Sequence, residues 1–290
     1  MTIVVTGATG QFGRLAVEAL LRRGADPQDV LATGRDDAKL ASIAELGVRT
    51  AVADYDDPAS LRAVVEGADK VLLVSGSEVG RRVAQHGNVI QAAQDAAVSL
   101  VAYTSIPKAQ TNTMVLAGEH RATEELIAAS GIPFTFLRNS WYLENYLPQV
   151  PTYLEHGVVG AAGDGRISGA TRADLADAAA AALLADDSAG RVFELGGESF
   201  SLADLADAVA KASGRDVAHT EVSGEQLTEI LVGAGLPRGY AEVLADADAG
   251  IARGELEVTT GDLERLIGRR PTTYREAVAD AVRALAPSAS

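Results

Sequence analysis

Short runs of consecutive apolar, often β-branched residues recur along the chain: Ile3–Thr6, Val30–Thr33, Val48–Val52, Val71–Ser75, Leu100–Thr104 and Phe134–Leu137, with a later one at Val192–Leu195. Unbroken rather than alternating apolar character is what a strand needs when both faces of its sheet are covered. Between the runs lie stretches whose apolar residues recur at helical spacing: Arg14–Arg23, Ala38–Leu46, Ser60–Glu66, Gln85–Ala97 and Ala122–Ser130. Each can present one apolar stripe to a sheet. The strict alternation predicts an α/β fold, a doubly wound parallel sheet with helices on both faces. Its ligand cleft would lie beyond the carboxyl ends of the strands.

The rhythm changes after about Trp141. Gly163-Asp164-Gly165 reads as a turn, and Thr171–Leu184 reads as an alanine-rich helix capped by Thr171 with Asp174 three residues on. Ser201-Leu202-Ala203-Asp204 opens another helix running to about Ser213, and Thr273-Tyr274-Arg275-Glu276 is a capping box for the last one, ending near Leu285. The terminal Pro-Ser-Ala-Ser is expected to fray. This predicts a small, mainly helical C-terminal lobe laid over the cleft. The expected division is residues 1–150 as a nucleotide-binding sheet domain, with 158–197 returning partly to it. Residues 198–270 would form the substrate-side lobe, and 271–290 the C-terminal helix and tail.

Composition narrows the chemistry. The 290 residues contain no cysteine, which excludes disulfides, thiolate catalysis and cysteine metal sites; no other metal site is legible. The formal net charge of −15 argues against nucleic acid or an anionic membrane as partner, so an anionic cofactor would need a locally positive pocket. No apolar run approaches a membrane span. A strand from residue 2 onward leaves no room for a signal peptide, so a cytoplasmic location is expected. Nothing in the sequence sets the oligomeric state.

The first strand breaks into Gly7, Gly10 and Gly13, spaced three apart, with a helix following. Glycine lets the backbone turn sharply and lets a pyrophosphate approach the amides, while the helix start offers unpaired N–H groups and a positive dipole end. The second strand ends in Thr33-Gly34-Arg35-Asp36, where a dinucleotide's adenosine ribose would lie. An acidic residue there suits the 2′-hydroxyl of NAD and an arginine suits the 2′-phosphate of NADP. Arg35 comes first and favours NADP; Asp36 and Asp37 can instead cap the next helix. After the third strand, Asp54 is placed to accept from an adenine amino group or to serve as a turn aspartate. Ser75-Gly76-Ser77 puts small residues where a cofactor backbone would pass. In a chain with 4% aromatic residues, Trp141, Tyr142 and Tyr146 fall within six positions beside Asn145. They can stack a flat substrate or pack the sheet against the lobe. Tyr240 and the loop Leu236–Gly239 are candidates to close the cleft from the lobe.

These segments (TGATGQFG, ADYDD, VLLVSGSEVG, VAYTSI and FTFLRNSWYLENY) together resemble the NmrA-like atypical short-chain dehydrogenases. Within them the pattern is most similar to the NADPH-dependent quinone oxidoreductases, with the triphenylmethane dye reductases close by. The resemblance runs from Thr2 to about Leu285, taking in AAGDGRISGATRADLA and LIGRRPTTYREAV. It implies a Rossmann-type sheet and NADP(H) in preference to NAD(H), with neither metal nor flavin. In the first turn it implies pyrophosphate contacts from Thr6, Gly7, Thr9, Gly10, Gln11, Phe12 and Gly13, with Arg35 on the 2′-phosphate. Ser75, Gly76 and Ser77 would form the middle wall. Thr104, Ser105, Leu137, Arg138 and Asn139 would form the nicotinamide end.

One departure carries chemical weight. Ordinary members of the superfamily place Tyr-x-x-x-Lys on the helix after strand five, tyrosine protonating the carbonyl and lysine holding the ribose. Here those positions fall on Leu116 and His120. Hydride addition to a ketone makes an alkoxide whose parent acid has a pKa near ~16. Addition to a quinone makes an aromatic oxyanion nearer the tyrosine value of about 10, which water or a weak donor can meet. His120 would supply such a hydrogen bond or hold the ribose, Asn145 and Tyr146 would attend the acceptor's oxygen, and Trp141, Tyr142 and Tyr146 would stack its ring. The expected function is therefore hydride transfer from NADPH to a quinone or similar conjugated acceptor. The alternative is an NADP(H)-sensing regulatory protein without turnover, which the missing tyrosine and lysine suit equally well.

Overall fold

The apolar runs become strands because helices bury both of their faces. In the computed structural model, which describes residues 1–285, strands and helices alternate through the first half. They are β1 (Ile3–Val5), α1 (Gln11–Arg22), β2 (Val30–Gly34), α2 (Asp37–Ala44), β3 (Arg49–Val52) and α3 (Pro58–Val65). Then come β4 (Lys70–Leu73), α4 (Arg82–Asp95), β5 (Leu100–Ser105), α5 (Val115–Ser130) and β6 (Phe134–Asn139). After α6 (Val150–His156) and β7 (Val158–Gly160), the chain forms α7 (Arg172–Leu184) and returns to the sheet as β8 (Arg191–Leu195).

The seven strands lie in the order β3-β2-β1-β4-β5-β6-β8, and every neighbouring pair is parallel. This is the Rossmann-type doubly wound sheet. The winding direction reverses at β1, which opens a crevice between the carboxyl ends of β1 and β4. One face buries Val17 and Leu20 of α1 with Leu175 and Leu183 of α7. The other buries Leu61 of α3, Val89 of α4 and Ile127 of α5.

The remaining elements are α8 (Leu202–Ser213), β9 (His219–Glu221), α9 (Gly224–Gly233), α10 (Arg238–Ala252), α11 (Asp262–Ile267) and α12 (Tyr274–Ala284). β9 pairs with β7 in a separate two-stranded parallel sheet. Phe200, Leu202 and Tyr274 share a core with Met114 and Leu143 from the loops above β5 and β6, so the lobe sits on the carboxyl-end side of the sheet. The caps form where their residues point: Thr171 accepts from the Asp174 amide, and the Ser201–Asp204 and Thr273–Glu276 boxes both close. Ser223 and Gln226 close another. The last part of the 198–270 stretch rejoins the main body, because Leu263 and Ile267 of α11 enter the core shared with α1 and α7. The terminal Pro-Ser-Ala-Ser lies outside the described residues.

Helices α1 to α5 all begin earlier than their stripes suggest, and at α1 and α5 this bears on the site. α1 starts at Gln11, so Gly13 belongs to its first turn rather than to the loop. α5 starts at Val115 instead of Ala122, with no side-chain cap of its own. Its first amide is met by Asp246 Oδ2 of α10 at 2.7 Å, a partner that no local window of sequence contains. Helices α6, α9, α10 and α11 were not legible as stripes. In α10 the buried positions are Ala241, Ala247, Gly250 and Ile251, too small a set to mark a face by hydropathy.

Candidate active site

The crevice at the carboxyl ends of the strands holds a cavity of about 670 Å³, within the usual range for a ligand pocket. Its base is the turn after β1. Gly7 takes φ +61°, and its carbonyl accepts from the Gly10 amide at 3.0 Å. The first backbone bond of α1 runs from Arg14 N to Gly10 O at 3.1 Å, which leaves the amides of Gln11, Phe12 and Gly13 without helical partners. No side chain caps this end and no acidic residue stands in its first turn. All three residues line the cavity, so the helix start is free to receive an anion. Gly13 has no room for a side chain, since a Cβ would stand 2.3 Å from the Gly7 carbonyl oxygen. At Gly34 a Cβ would meet the Thr9 hydroxyl at 2.5 Å.

Basic side chains gather in an otherwise acidic chain. Arg35, Lys39, Arg82 and Arg172 line the cavity against Asp54 and Glu78. Arg35 stands just beyond β2, and its guanidinium holds Glu78 at 2.9 Å. Lys39, one turn into α2, is mostly solvent-exposed. Asp36 serves as the cap of α2, accepting from the Lys39 amide at 3.0 Å, and its other carboxylate oxygen lies 3.7 Å from Lys39 Nζ. Asp54 lines the cavity and also closes a turn, its Oδ1 accepting from the Asp56 amide at 3.0 Å.

The middle wall is Ser75, Gly76 and Ser77. Ser75 N–H donates to Thr104 Oγ1 (2.8 Å), Gly76 N–H donates to His86 Nε2 (2.9 Å), and the Gly76 carbonyl accepts from Arg82 Nε (2.7 Å). Thr104 therefore stands behind the wall and holds it, rather than on the cavity as expected. Thr6 is displaced in the same way. It is fully buried, with Oγ1 engaged by Tyr55 Oη at 2.5 Å and by the Val74 amide at 3.1 Å.

At the far end, strand alternation separates the three candidates on β6. Leu137 is wholly buried in the α1-side core. Arg138 points to the opposite face, where Glu124 (2.7 Å) and Glu194 (3.0 Å) hold it; neither residue lines the cavity. Asn139 does line it, is 5% exposed, and has no hydrogen-bond partner on either carboxamide atom. A buried carboxamide left in that state is costly, and the ligand side of the cavity is where its partner would come from. Ser105 also reaches the cavity, its Oγ donating to Glu124 Oε1 at 2.6 Å.

His120 and Leu116 both line the cavity from α5. The histidine is 8% exposed, and Tyr103 Oη lies 2.7 Å from its Nδ1. Burial, aided by the positive charge of Arg82 and by His86, holds its pKa well below the ordinary histidine value, so it is neutral at pH 7. Of the aromatic cluster, Trp141 and Tyr142 face the cavity, with Asn145 beside them. Tyr142 stacks on Phe12 (centroids 6.2 Å apart) and lies 4.5 Å beneath the Arg172 guanidinium, while Asn145 Oδ1 accepts from Arg172 Nη2 at 3.2 Å. Tyr146 is partly buried and packs on the lobe core against Phe200 (6.1 Å, edge-on); it does not line the cavity, where its expected acceptor-side role would place it. Tyr240 is 57% exposed on the first turn of α10 and does not line the cavity.

Several lining residues were not singled out in the sequence. Lys39 was findable, four residues after Arg35 and so on the adjacent helical turn. Arg82 and Arg172 were not, since only the tertiary fold brings α4 and α7 to the same cavity. Among the described residues no group of three or more His, Asp and Glu side chains is arranged to hold a metal ion, and no helix is long and apolar enough to cross a membrane.

Comparison with known proteins places this geometry among relatives. Residues 1–269 match the NmrA-like family. Quinone oxidoreductase 2 of Escherichia coli (strain K12) is 45% identical over 278 residues, covering 95% of this chain and 97% of that protein. The crystal structure of the E. coli NADPH-dependent quinone oxidoreductase complexed with NADPH superposes with TM-score 0.92 at 43% identity, covering 98% of this chain and 99% of that one. The Citrobacter sp. triphenylmethane reductase complexed with NADP(H) gives TM-score 0.92 at 35% identity, covering 97% of this chain and all of the other (100%).

Proposed function

The chain belongs to the NmrA-like family, and from that premise we propose that it is an NADPH-dependent reductase that passes a hydride to a quinone or similar conjugated acceptor. The observation that carries this reading is the single cavity joining three features: the uncapped start of α1, the Arg35–Lys39 pair, and the His120, Trp141 and Tyr142 cluster at its other end. The near-complete match to a quinone oxidoreductase supports it.

The residues fit the cofactor. The free amides of Gln11–Gly13 offer donors for a pyrophosphate, and the absent Cβ at Gly13 lets the turn after β1 pack directly against the start of α1. Arg35 and Lys39 would hold the 2′-phosphate and favour NADP(H) over NAD(H). Asp54 would meet the adenine, Ser75–Ser77 would flank the middle of the cofactor, and the unpartnered Asn139 carboxamide would meet the nicotinamide amide. When bound, NADPH supplies the hydride, and a quinone accepts it without metal or flavin. Trp141 and Tyr142 would stack the acceptor, and neutral His120 would face its oxygen. Positioning then does most of the work, because the aromatic oxyanion formed is weakly basic and Leu116 leaves no acid in the usual tyrosine position. Nucleic acid and membranes have no part in this reading, and the cysteine-free composition suits the cytoplasm.

Purified protein is expected to oxidise NADPH when a small quinone is added, and NADH more slowly. A panel of quinones and cationic dyes, run with both cofactors, tests this by absorbance at the nicotinamide band. Tight NADPH binding with no turnover across the panel would overturn it in favour of the sensor reading. Lys39→Ala is expected to weaken NADPH by only about threefold, with the loss shrinking as salt rises, because an exposed charge is screened. Titrations at two ionic strengths measure it.

A further inference from the structure

Tyr103 lies on β5, fully buried, between two histidines whose ring centroids are 5.5 Å (His86) and 5.8 Å (His120) from its own. The protons of this row can be placed one at a time. Gly76 N–H donates to His86 Nε2 at 2.9 Å, so neutral His86 carries its proton on Nδ1 and donates it to Thr123 Oγ1 at 3.0 Å. Thr123 in turn donates to the Glu119 carbonyl at 2.9 Å. The Tyr103 hydroxyl lies 2.7 Å from His120 Nδ1; Thr123 Oγ1 also lies near it, but that oxygen already faces the His86 Nδ1 proton. A buried phenol needs an acceptor, and it is a far stronger acid than a neutral imidazole N–H. The hydroxyl therefore donates and Nδ1 accepts. His120 is neutral, so its one proton sits on Nε2, the ring nitrogen left over on a residue that lines the cavity.

We propose that Tyr103 is a positioning residue that locks His120 as the Nε2–H tautomer, making it a standing hydrogen-bond donor to the oxygen of the bound acceptor. The inference rests on the reductase reading above. The acceptor takes hydride from bound NADPH and becomes a hydroquinone monoanion; Nε2–H donates to the new oxyanion, and solvent supplies the second proton. His120 keeps its own proton. Giving it up would require drawing one from Tyr103 and leaving a phenolate in the core, and burial already pushes that phenol's pKa upward.

Nitrogen-15 NMR on full-length protein with labelled histidine reads the tautomer directly. The chain has four histidines, and comparison with His120→Gln assigns the signal. The expected result is a protonated Nε2 and an unprotonated Nδ1 for His120. In Tyr103→Phe the ring should lose that fixed state and shift toward Nδ1–H, with kcat falling about tenfold and the Kd for NADPH changing less than about twofold. A His120 that is Nδ1–H in the wild type, or a tautomer untouched by Tyr103→Phe, would overturn the proposal. If Tyr103→Phe does not fold, the wild-type spectrum alone decides the tautomer. A wild-type protein with the Nε2–H signal that reduces no quinone would instead overturn the reductase reading while upholding the proton assignment.

Discussion

Gly13→Ala is expected to lower NADPH affinity by on the order of a hundredfold or more and to cost about 1–3 kcal/mol of stability. A methyl at this position would lie 2.3 Å from the Gly7 carbonyl oxygen and 2.7 Å from both Ala8 Cα and the Gly7 carbonyl carbon. All three are backbone atoms, so no rotamer change relieves the clash. The turn or the start of α1 has to move. That movement would re-aim the free amides of Gln11–Gly13 and disturb the 3.0 Å Gly10–Gly7 bond that closes the turn. Calorimetric titration with NADPH and a thermal melt measure the two effects. Gly87→Ala is the control: Gly87 is inside α4, a Cβ there meets nothing within 4 Å, and alanine should be neutral or slightly stabilising. Unchanged NADPH binding in Gly13→Ala would rule out this turn as the cofactor's seat.

Arg35→Ala should weaken NADPH by on the order of fiftyfold, about 2–3 kcal/mol for a charge-assisted phosphate contact, while leaving NADH within about twofold. Only NADPH carries the 2′-phosphate. The guanidinium is already paired with Glu78 at 2.9 Å, and Glu78 with Arg81 at 3.1 Å, so phosphate has to displace a carboxylate to reach it. The net effect is therefore smaller than a bare arginine would give. Parallel titrations with both cofactors check the prediction; equal losses would mean that Arg35 does not read the phosphate.

Both predictions concern residues that stood out before any fold was known. Gly7, Gly10 and Gly13 declare themselves by spacing, because a turn with a left-handed residue and a crowded helix start admits little else. Arg35 declares itself by following the second strand directly. The acceptor end was far less legible. Trp141, Tyr142, Asn145 and Tyr146 form one local cluster in sequence, yet Tyr146 belongs to the lobe core with Phe200 while the other three face the cavity. Hydropathy cannot divide them, because an aromatic ring suits either place.

What the sequence by itself determined was local: continuous apolar runs that require a sheet covered on both faces, helices begun by their own capping side chains, and a glycine turn open to an anion. Those properties depend on neighbours a few positions away. The tertiary structure decided everything that depends on distant partners. It chose which of Leu137, Arg138 and Asn139 meets the cavity, by placing Glu124 of α5 and Glu194 of β8 on the face that Arg138 enters. It began α5 at Val115 by bringing Asp246 to that amide. It set Tyr103 against Nδ1 of His120, which determines which nitrogen of that histidine carries the proton. Contacts between elements far apart in the chain leave no periodic trace in it, because each is made by single side chains that the sheet's order happens to bring together.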